Sequence, residues 1–507
     1  MRVVVVLLYL VQYAHSYCMV PNKEHVSAQN LTEAGVTTII GTTSTDAVDY
    51  ENSGFYQCST LKSIEIPASV TEIGYRAFQF TPNLHTVTVL GDITTIYSQA
   101  FWAAGEHAGD TFTMTFKGNV GAIDEGAFGW AGYNNTQTTI TFEGQVGTIL
   151  RGQTKWGAFK RCGSDTDILK ITFQGDVGTI QGHTTSNNHE SFADCGYNSL
   201  NMSIVFQEKV ETIENHAFLR AGRNANTLSL TFQEDVGTIS VGAFKWSGFT
   251  STSYTVKFEK DLNILGNNAF QETNLTSIDF SKATSLQLIS PWAFYKTTAL
   301  TSVTIPSSVK EIGASAFRES GLTSVTIPSS VISIGSYAFS AASALISIDF
   351  SNAASLETIG SYAFYYAIAL ESVTIPSSVT EIKNEAFWKC YDLESVDFSQ
   401  ATSLNTIGRD AFQDTTSLTS VDMSGTASLA SIGDYAFKDS ALTSATVPVC
   451  ISLGTDVFPS TTHLNKVFPQ SCVRQYLSQG ITADDILIHF SAGELAAAYR
   501  VKGNCPA

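Results

Sequence analysis

Nine histidines, eight cysteines and 46 acidic side chains are the groups of this 507-residue chain that could do chemistry. His183, His189 and Glu190 fall together in one Asn/Ser/Thr-rich stretch, and three such groups in a loop suggest a metal. Their spacing fits no ligand pattern for zinc or a metalloprotease, so a solvated loop is expected instead. No Gly-x-Ser-x-Gly, phosphate loop, dinucleotide fingerprint or His-Glu-x-x-His is present. Ser, Asp and His are scattered without a spacing that would build a nucleophile, base and orienting group. The chain therefore reads as non-enzymatic, with no catalytic residue, no cofactor and no metal ligand assigned.

The order that chemistry lacks is present in the apolar residues. A phenylalanine recurs at 55, 78, 101, 128, 159, 192, 218, 244, 270, 294, 317, 339, 364, 387, 412, 437 and 458, at intervals of 21 to 33 residues. A clear copy of the unit runs Leu300-Thr-Ser-Val-Thr-Ile-Pro-Ser-Ser-Val-Lys-Glu-Ile-Gly-Ala-Ser-Ala-Phe317, and others run from Leu322 to Phe339 and from Leu370 to Phe387. The interval is that of a leucine-rich repeat. Within the unit, Val303 and Ile305 alternate with Thr, which predicts a half-buried strand. Pro306 ends it, having no N–H for the ladder. Val309 and Ile312 turn inward over a second short extended piece. Gly313 marks a bend that needs either close backbone approach or a positive φ. Ala316 and Phe317 close the coil. The expected architecture is a β-rich solenoid of about 17 coils with parallel ladders, roughly 80 Å long at one strand spacing per coil.

Three styles of unit appear. The first copies follow the template. From about Asp110 to Lys260 the units are longer and read Thr-Phe-x-Gly-x-Val-Gly-Thr-Ile, as at Phe142 to Ile149. From Leu275 onward, Val-Thr-Ile-Pro-Ser-Ser-Val mixes with Val-Asp-Phe-Ser-x-Ala-x-Ser-Leu. Residues 1–16 have the layout of a signal peptide, with an apolar run from Val3 to Val11 too short to span a bilayer. Segments 17–50 and 459–507 lack the repeat and are expected to cap a solenoid at 51–458; Ala492 to Arg500 looks helical.

In an exported chain the cysteines are disulfide candidates. Cys58, Cys162, Cys195 and Cys390 each follow a marker Phe by three residues. Stacked positions on adjacent coils predict a Cys162–Cys195 bridge, with Cys18–Cys58 and Cys472–Cys505 in the caps. Four sequons stand at Asn30, Asn134, Asn201 and Asn274 and offer glycan sites.

Two columns are candidates for a binding surface. The outward strand residue reads Asp at 279, 349, 397 and 422, with Thr at most other coils. Asp397 and Asp422 should be neighbours, and stacked carboxylates repel unless a cation or basic ligand intervenes. Two residues before the marker Phe stand Trp292, Tyr337, Tyr362 and Tyr435, interrupted by Ser315, Glu385 and Asp410. Aromatic rings on a ridge suit sugars or peptide side chains.

The repeated run Leu-Thr-Ser-Val-Thr-Ile-Pro-Ser-Ser-Val-x-x-Ile-Gly-x-x-Ala-Phe resembles the BspA-like, Treponema-type class of leucine-rich repeats, over about Phe55 to Phe458. The resemblance implies an exported or surface protein engaged in adhesion or ligand binding, with no catalytic residues. A net charge of −18 repels nucleic acid and anionic membrane surfaces. The expectation is a secreted or cell-surface recognition protein for an extracellular protein or glycan, without a membrane span. A structural rod in an extracellular coat, wall or appendage, which would self-associate, is the alternative.

Overall fold

The computed structural model describes residues 25–26, 38–39, 54–106, 111–152, 156–183, 190–449 and 451–467. Two compact units divide the chain, Met1–Ser308 and Val309–Ala507. Each is a coil of short strands joined by turns, and no helix occurs among the described residues. In the first unit, one parallel sheet of ten strands runs from His25–Val26 to Ser277–Asp279, and a second of nine runs from Thr38–Ile39 to Leu262–Leu265. In the second unit, one ladder runs from Ser324–Thr326 to His463–Val467 and the other from Glu311–Ile312 to Ser452–Leu453. Each pairing joins the same position of consecutive coils, as where Ile171 faces both Ile140 and Ile204.

The class expected from the sequence is therefore the class observed, although the turns number about 14 rather than about 17. Not every marker Phe closes a coil with two strands. The segment used to define the unit, Leu300 to Pro306, carries no strand, and its Val303 is only half-buried. Its second copy behaves as read: Ser324–Thr326 is a strand with Val325 buried. The ladders also reach into both segments expected to be caps, through His25–Val26 and Thr38–Ile39 at one end and His463–Val467 at the other. The signal region and Ala492 to Arg500 lie outside the described residues.

The core is a pile of rings. In the first unit the marker phenylalanines from Phe55 to Phe294 stack at centroid distances of 4.4 to 5.6 Å. In the second, those from Phe317 to Phe458 stack at 5.0 to 5.4 Å. The Thr-Phe units add a second pile, Phe116, Phe142, Phe173, Phe206, Phe232 and Phe258, at 4.9 to 5.0 Å. The two piles meet edge to face, as at Phe128 and Phe142 (6.0 Å, 88°). Each fully buried ring contributes roughly 1.5–3 kcal/mol through burial, and ring pairs add to it.

Glycine sits where coils touch through their backbones. A Cβ on Gly335 would lie 2.7 Å from the Ala314 nitrogen, so close approach, not a positive φ, requires the glycine of the Ile-Gly pair. The positive φ falls two residues further on, at Ser315 (56°) and Tyr337 (60°). It is a general feature of the turns. Thirty non-glycine residues among those described have φ near +60°, mostly two residues before or after a marker Phe. Such residues cost about 1 kcal/mol or more each unless their surroundings enforce them. Here cross-coil hydrogen bonds do so: Tyr337 donates its N–H to the Ser361 carbonyl, Phe339 to Ala363 and Ala341 to Tyr365. The turn edge is thus a third hydrogen-bonded column beside the two strand ladders.

Candidate functional site

The outward strand column is in register as expected. Thr115, Thr141, Thr172, Val205, Thr231, Lys257 and Asp279 face one another in sequence across the first unit. In the second unit Thr374, Asp397, Asp422 and Thr446 do the same. The aspartates have local partners. Asp279, Asp349, Asp397 and Asp422 each accept the backbone N–H of the Ser two residues on, at 2.8–3.0 Å. This is the turn geometry that Asx side chains favour. It accounts for the Asp-Phe-Ser and Asp-Met-Ser motifs without a ligand, and the Ser351 N–H and hydroxyl hold the Asp349 carboxyl below its ordinary value. Among the described residues, no three His, Cys, Asp or Glu side chains converge to hold a metal. The His183 carbonyl oxygen lies 2.9 Å from His216 Nδ1; His189 lies outside the described residues.

The aromatic column lies on the turn edge, on residues of positive φ. Tyr337 and Tyr362 are half-buried and stack face to face at 4.5 Å. The residues that interrupt the column serve it. Glu385 hydrogen-bonds Tyr362, which drives that phenol's pKa up. Asp410 pairs with Arg409 at 2.8 Å, and the Arg409 guanidinium covers the Tyr435 ring at 5.6 Å. Trp292, in the first unit, packs edge-on against Tyr295 at 4.9 Å.

Reading only the position two before the Phe missed most of this surface. All six tryptophans lie within three residues of a marker Phe. Cations accompany three of them: Lys389 over Trp388 (4.6 Å), Lys245 over Trp246 (4.6 Å), and Arg161 over Trp130 (4.9 Å) and also over Tyr197 (5.4 Å). Offsets of +1, +2 and +5 from the Phe would have found these residues from the sequence. Half-exposed aromatic faces with cations over them thus recur on the turn edge of each unit, an arrangement that can offer stacking and cation–π contacts.

Behind the edge of the first unit lies a buried charge cluster. Lys160 Nζ is 2.6 Å from Asp194 Oδ2, and Arg220 Nε is 2.9 Å from Asp194 Oδ1. Burial lowers the Lys160 pKa, against the pull of Asp194. Cys162 and Cys195 lie beside it on adjacent coils, as the phase required, but both are free buried thiols, so the bridge expected between them is absent. Cys195 Sγ instead approaches the Cys162 carbonyl oxygen at 3.6 Å. The third position after the Phe is a small buried site. Thr81, Thr273 and Thr415 fill it elsewhere and donate to the Phe carbonyl three residues back. Cysteine meets the same demand for a small side chain, and Cys390 is likewise a buried free thiol. Cys58 is disulfide-bonded; Cys18, Cys472 and Cys505 lie outside the described residues.

Parallel ladders repeated at this period, with a stacked core and a decorated turn edge, define a leucine-rich-repeat β-solenoid. The family profile described as BspA type leucine rich repeat region matches six times, at residues 50–190, 113–249, 157–288, 212–346, 263–394 and 333–465. The chain belongs to that family of leucine-rich-repeat proteins, which are typically non-enzymatic. Solved structures similar to it include a leucine-rich repeat protein from Bacteroides ovatus (16% identity, 85% of this chain and 92% of that one, TM-score 0.34). A leucine rich cell surface protein from Faecalibacterium prausnitzii is 20% identical over 79% of this chain and 88% of its own (TM-score 0.26). The pneumococcal vaccine antigen PcpA is 15% identical over 82% and 86% (TM-score 0.25). No curated protein matches the chain. No helix among the described residues is long and apolar enough to cross a membrane.

Proposed function

We propose that this is a secreted or cell-surface recognition protein that holds an extracellular protein or glycan along its turn edge, without catalysis. One observation supports the reading: all six tryptophans and most of the described arginines lie within five residues of a marker Phe, and Trp130, Trp246 and Trp388 carry a cation over the ring, while the strand faces carry mainly Thr, Ser and Asp. Trp, Tyr and Arg are the side chains that concentrate binding energy at interfaces. The Asp column has a sufficient role in its turns, so Asp279, Asp349, Asp397 and Asp422 rank below the aromatic edge as contacts. The signal-peptide layout of residues 1–16 supports this reading, since export would bring the protein to such partners.

The test is binding of the purified chain to arrays of extracellular proteins and glycans. Tyr337→Ser combined with Tyr362→Ser and Trp388→Ser should abolish the signal, and Thr141→Ser with Thr172→Ser on the strand face should leave it intact. If the edge variant binds as well as the parent, the second unit's turn edge is not the site; if Trp130→Ser with Trp246→Ser in the first unit is equally silent, the edge reading falls. If nothing binds and light scattering shows concentration-dependent assembly, the chain is a structural rod and recognition is the wrong function.

A further inference from the structure

The turn edge is not uniform in charge. Over five coils of the first unit, its segments 128–136, 159–166, 192–199, 218–226 and 244–252 hold five cations and two carboxylates. The strands of the same coils, 137–149, 168–180, 201–214, 227–239 and 253–265, hold nine carboxylates and four lysines. The cations divide almost evenly, but the carboxylates are kept off these edge segments, which leaves them net positive beside net negative strands. Both edge carboxylates are engaged. Asp194 is buried and takes Lys160 and Arg220, and Asp165 accepts the Asn198 amide at 2.7 Å. Arg161 and Arg223 make no ion pair among the described residues. They lie instead against rings: Arg161 on Trp130 and Tyr197, Arg223 on Phe249 at 5.5 Å. Phe249 is 45% exposed.

Stacking holds a guanidinium flat while its N–H fork stays available to an oxyanion. Rings and forks then alternate along an edge whose coils repeat at 5.0 Å. An extended polysaccharide of uronate or sulfated sugars alternates apolar ring faces with anionic groups on a similar scale, roughly one sugar per strand spacing. Nucleic acid is a poorer match, because its denser charge meets the −18 of the whole chain. Resting on the turn-edge reading above, we infer that Arg161 and Arg223, with Trp130, Tyr197 and Phe249, form a site for an acidic polysaccharide. Lys160, Asp194 and Arg220 are its buried support. Arg220 is fixed by Asp194, so the charge beneath the edge is locked in place.

Calorimetry on the full chain tests this with three oligosaccharides of equal length: heparin (sulfate and carboxylate), hyaluronan (carboxylate alone) and dextran (neutral). Heparin, hyaluronan or both should bind, more weakly as salt rises, and dextran should not; the preferred arm names the anionic group. Arg161→Gln with Arg223→Gln should weaken binding by about tenfold or more, a change worth about 1.4 kcal/mol or above. Arg161→Lys, which keeps the charge and loses the fork and the stack, should give part of that loss. Lys209→Gln with Lys257→Gln makes the same change in net charge on the strand face and should leave affinity unchanged. Unaltered melting curves would show that each variant folds. Equal loss from the strand-face pair, equal binding of dextran or of a DNA oligonucleotide, or no binding of either acidic chain would each overturn the assignment. Partners found on the arrays would survive that outcome, so the broader recognition reading can stand when this one falls.

Discussion

The Thr-Phe coils of the first unit and the Pro- and Asp-turn coils of the second each build the same kind of turn edge, on different foundations. In the former, strands of six residues such as Ile168–Phe173 pair over their whole length, and two ring piles interlock. In the latter, strands shrink to three residues such as Ser395–Asp397, and one marker pile remains. Turn chemistry replaces the missing ladder. Asp397 caps its own turn through Ser399. Ser378 of a Pro-Ser-Ser turn donates to the Ala353 and Leu356 carbonyls of the preceding Asp-Phe-Ser coil and ties the two together. Long ladders need only β-formers, whereas short ones need particular residues at particular turns.

That contrast can be broken by mutation. Phe128 touches four rings, two stacked and two edge-on, while Phe387 touches two. Phe128→Ala and Phe387→Ala should each cost about 3–5 kcal/mol of local stability, and Phe128→Ala about 1–2 kcal/mol more than its counterpart. Hydrogen exchange of the flanking coils measures both, and equal costs would remove the second pile as a source of cohesion. Asp194→Asn should destabilise the Thr-Phe coils by about 3–5 kcal/mol by stranding Lys160 and Arg220. Lys160→Met alongside it should recover part of the loss; if Asp194→Asn alone is silent, the cluster is not a support.

Smaller effects separate the turns of the second unit. Asp397→Ala should cost about 0.5–1.5 kcal/mol, and Asp397→Asn, which still accepts the Ser399 N–H, much less. A raised affinity for calcium in the parent but not the variant would show the column to be more than turn caps. Asp349 adds a pH dependence. Its folded carboxyl sits below the ordinary 3.8, so its stabilisation is complete above that value and lost as pH falls through the folded pKa. Acid unfolding of Asp349→Asn should lack that increment. The smallest effect is an absence: burial raises the Cys195 and Cys390 thiol pKa values, so thiol reagents should leave Cys162, Cys195 and Cys390 intact until denaturant is added. Rapid labelling of the native chain would mean that these coils open.

Much of this fold was legible because a single residue type kept phase. Phe317 and its equivalents announce the coil, and the alternation around Val325 and Ile327 announces its inner face. What was not legible depends on neighbours in space. Nothing in Tyr337 or Trp130 signals a left-handed backbone, since the next coil's carbonyls impose it. Equal phase placed Cys162 over Cys195, yet phase reports coil position and not whether two sulfurs bond. The Leu300 copy matches the template closely and still carries no first strand. For the candidate site, the column at Trp292, Tyr337, Tyr362 and Tyr435 was one thread of a broader edge, and the acids that seemed to interrupt it are its hydrogen-bonding and ion-pairing partners.

The left-handed turn residues have one last consequence. Their backbone shape is set by the carbonyls of the adjoining coil, so a side chain placed there is not chosen for its conformational preference. Tyr, Trp, Arg, Lys, Glu and Ala all occupy these positions at nearly the same φ. The edge therefore works as a track whose lettering can be rewritten one coil at a time while the spool beneath keeps its shape, and a new specificity is a matter of exchanging letters on a frame that does not read them.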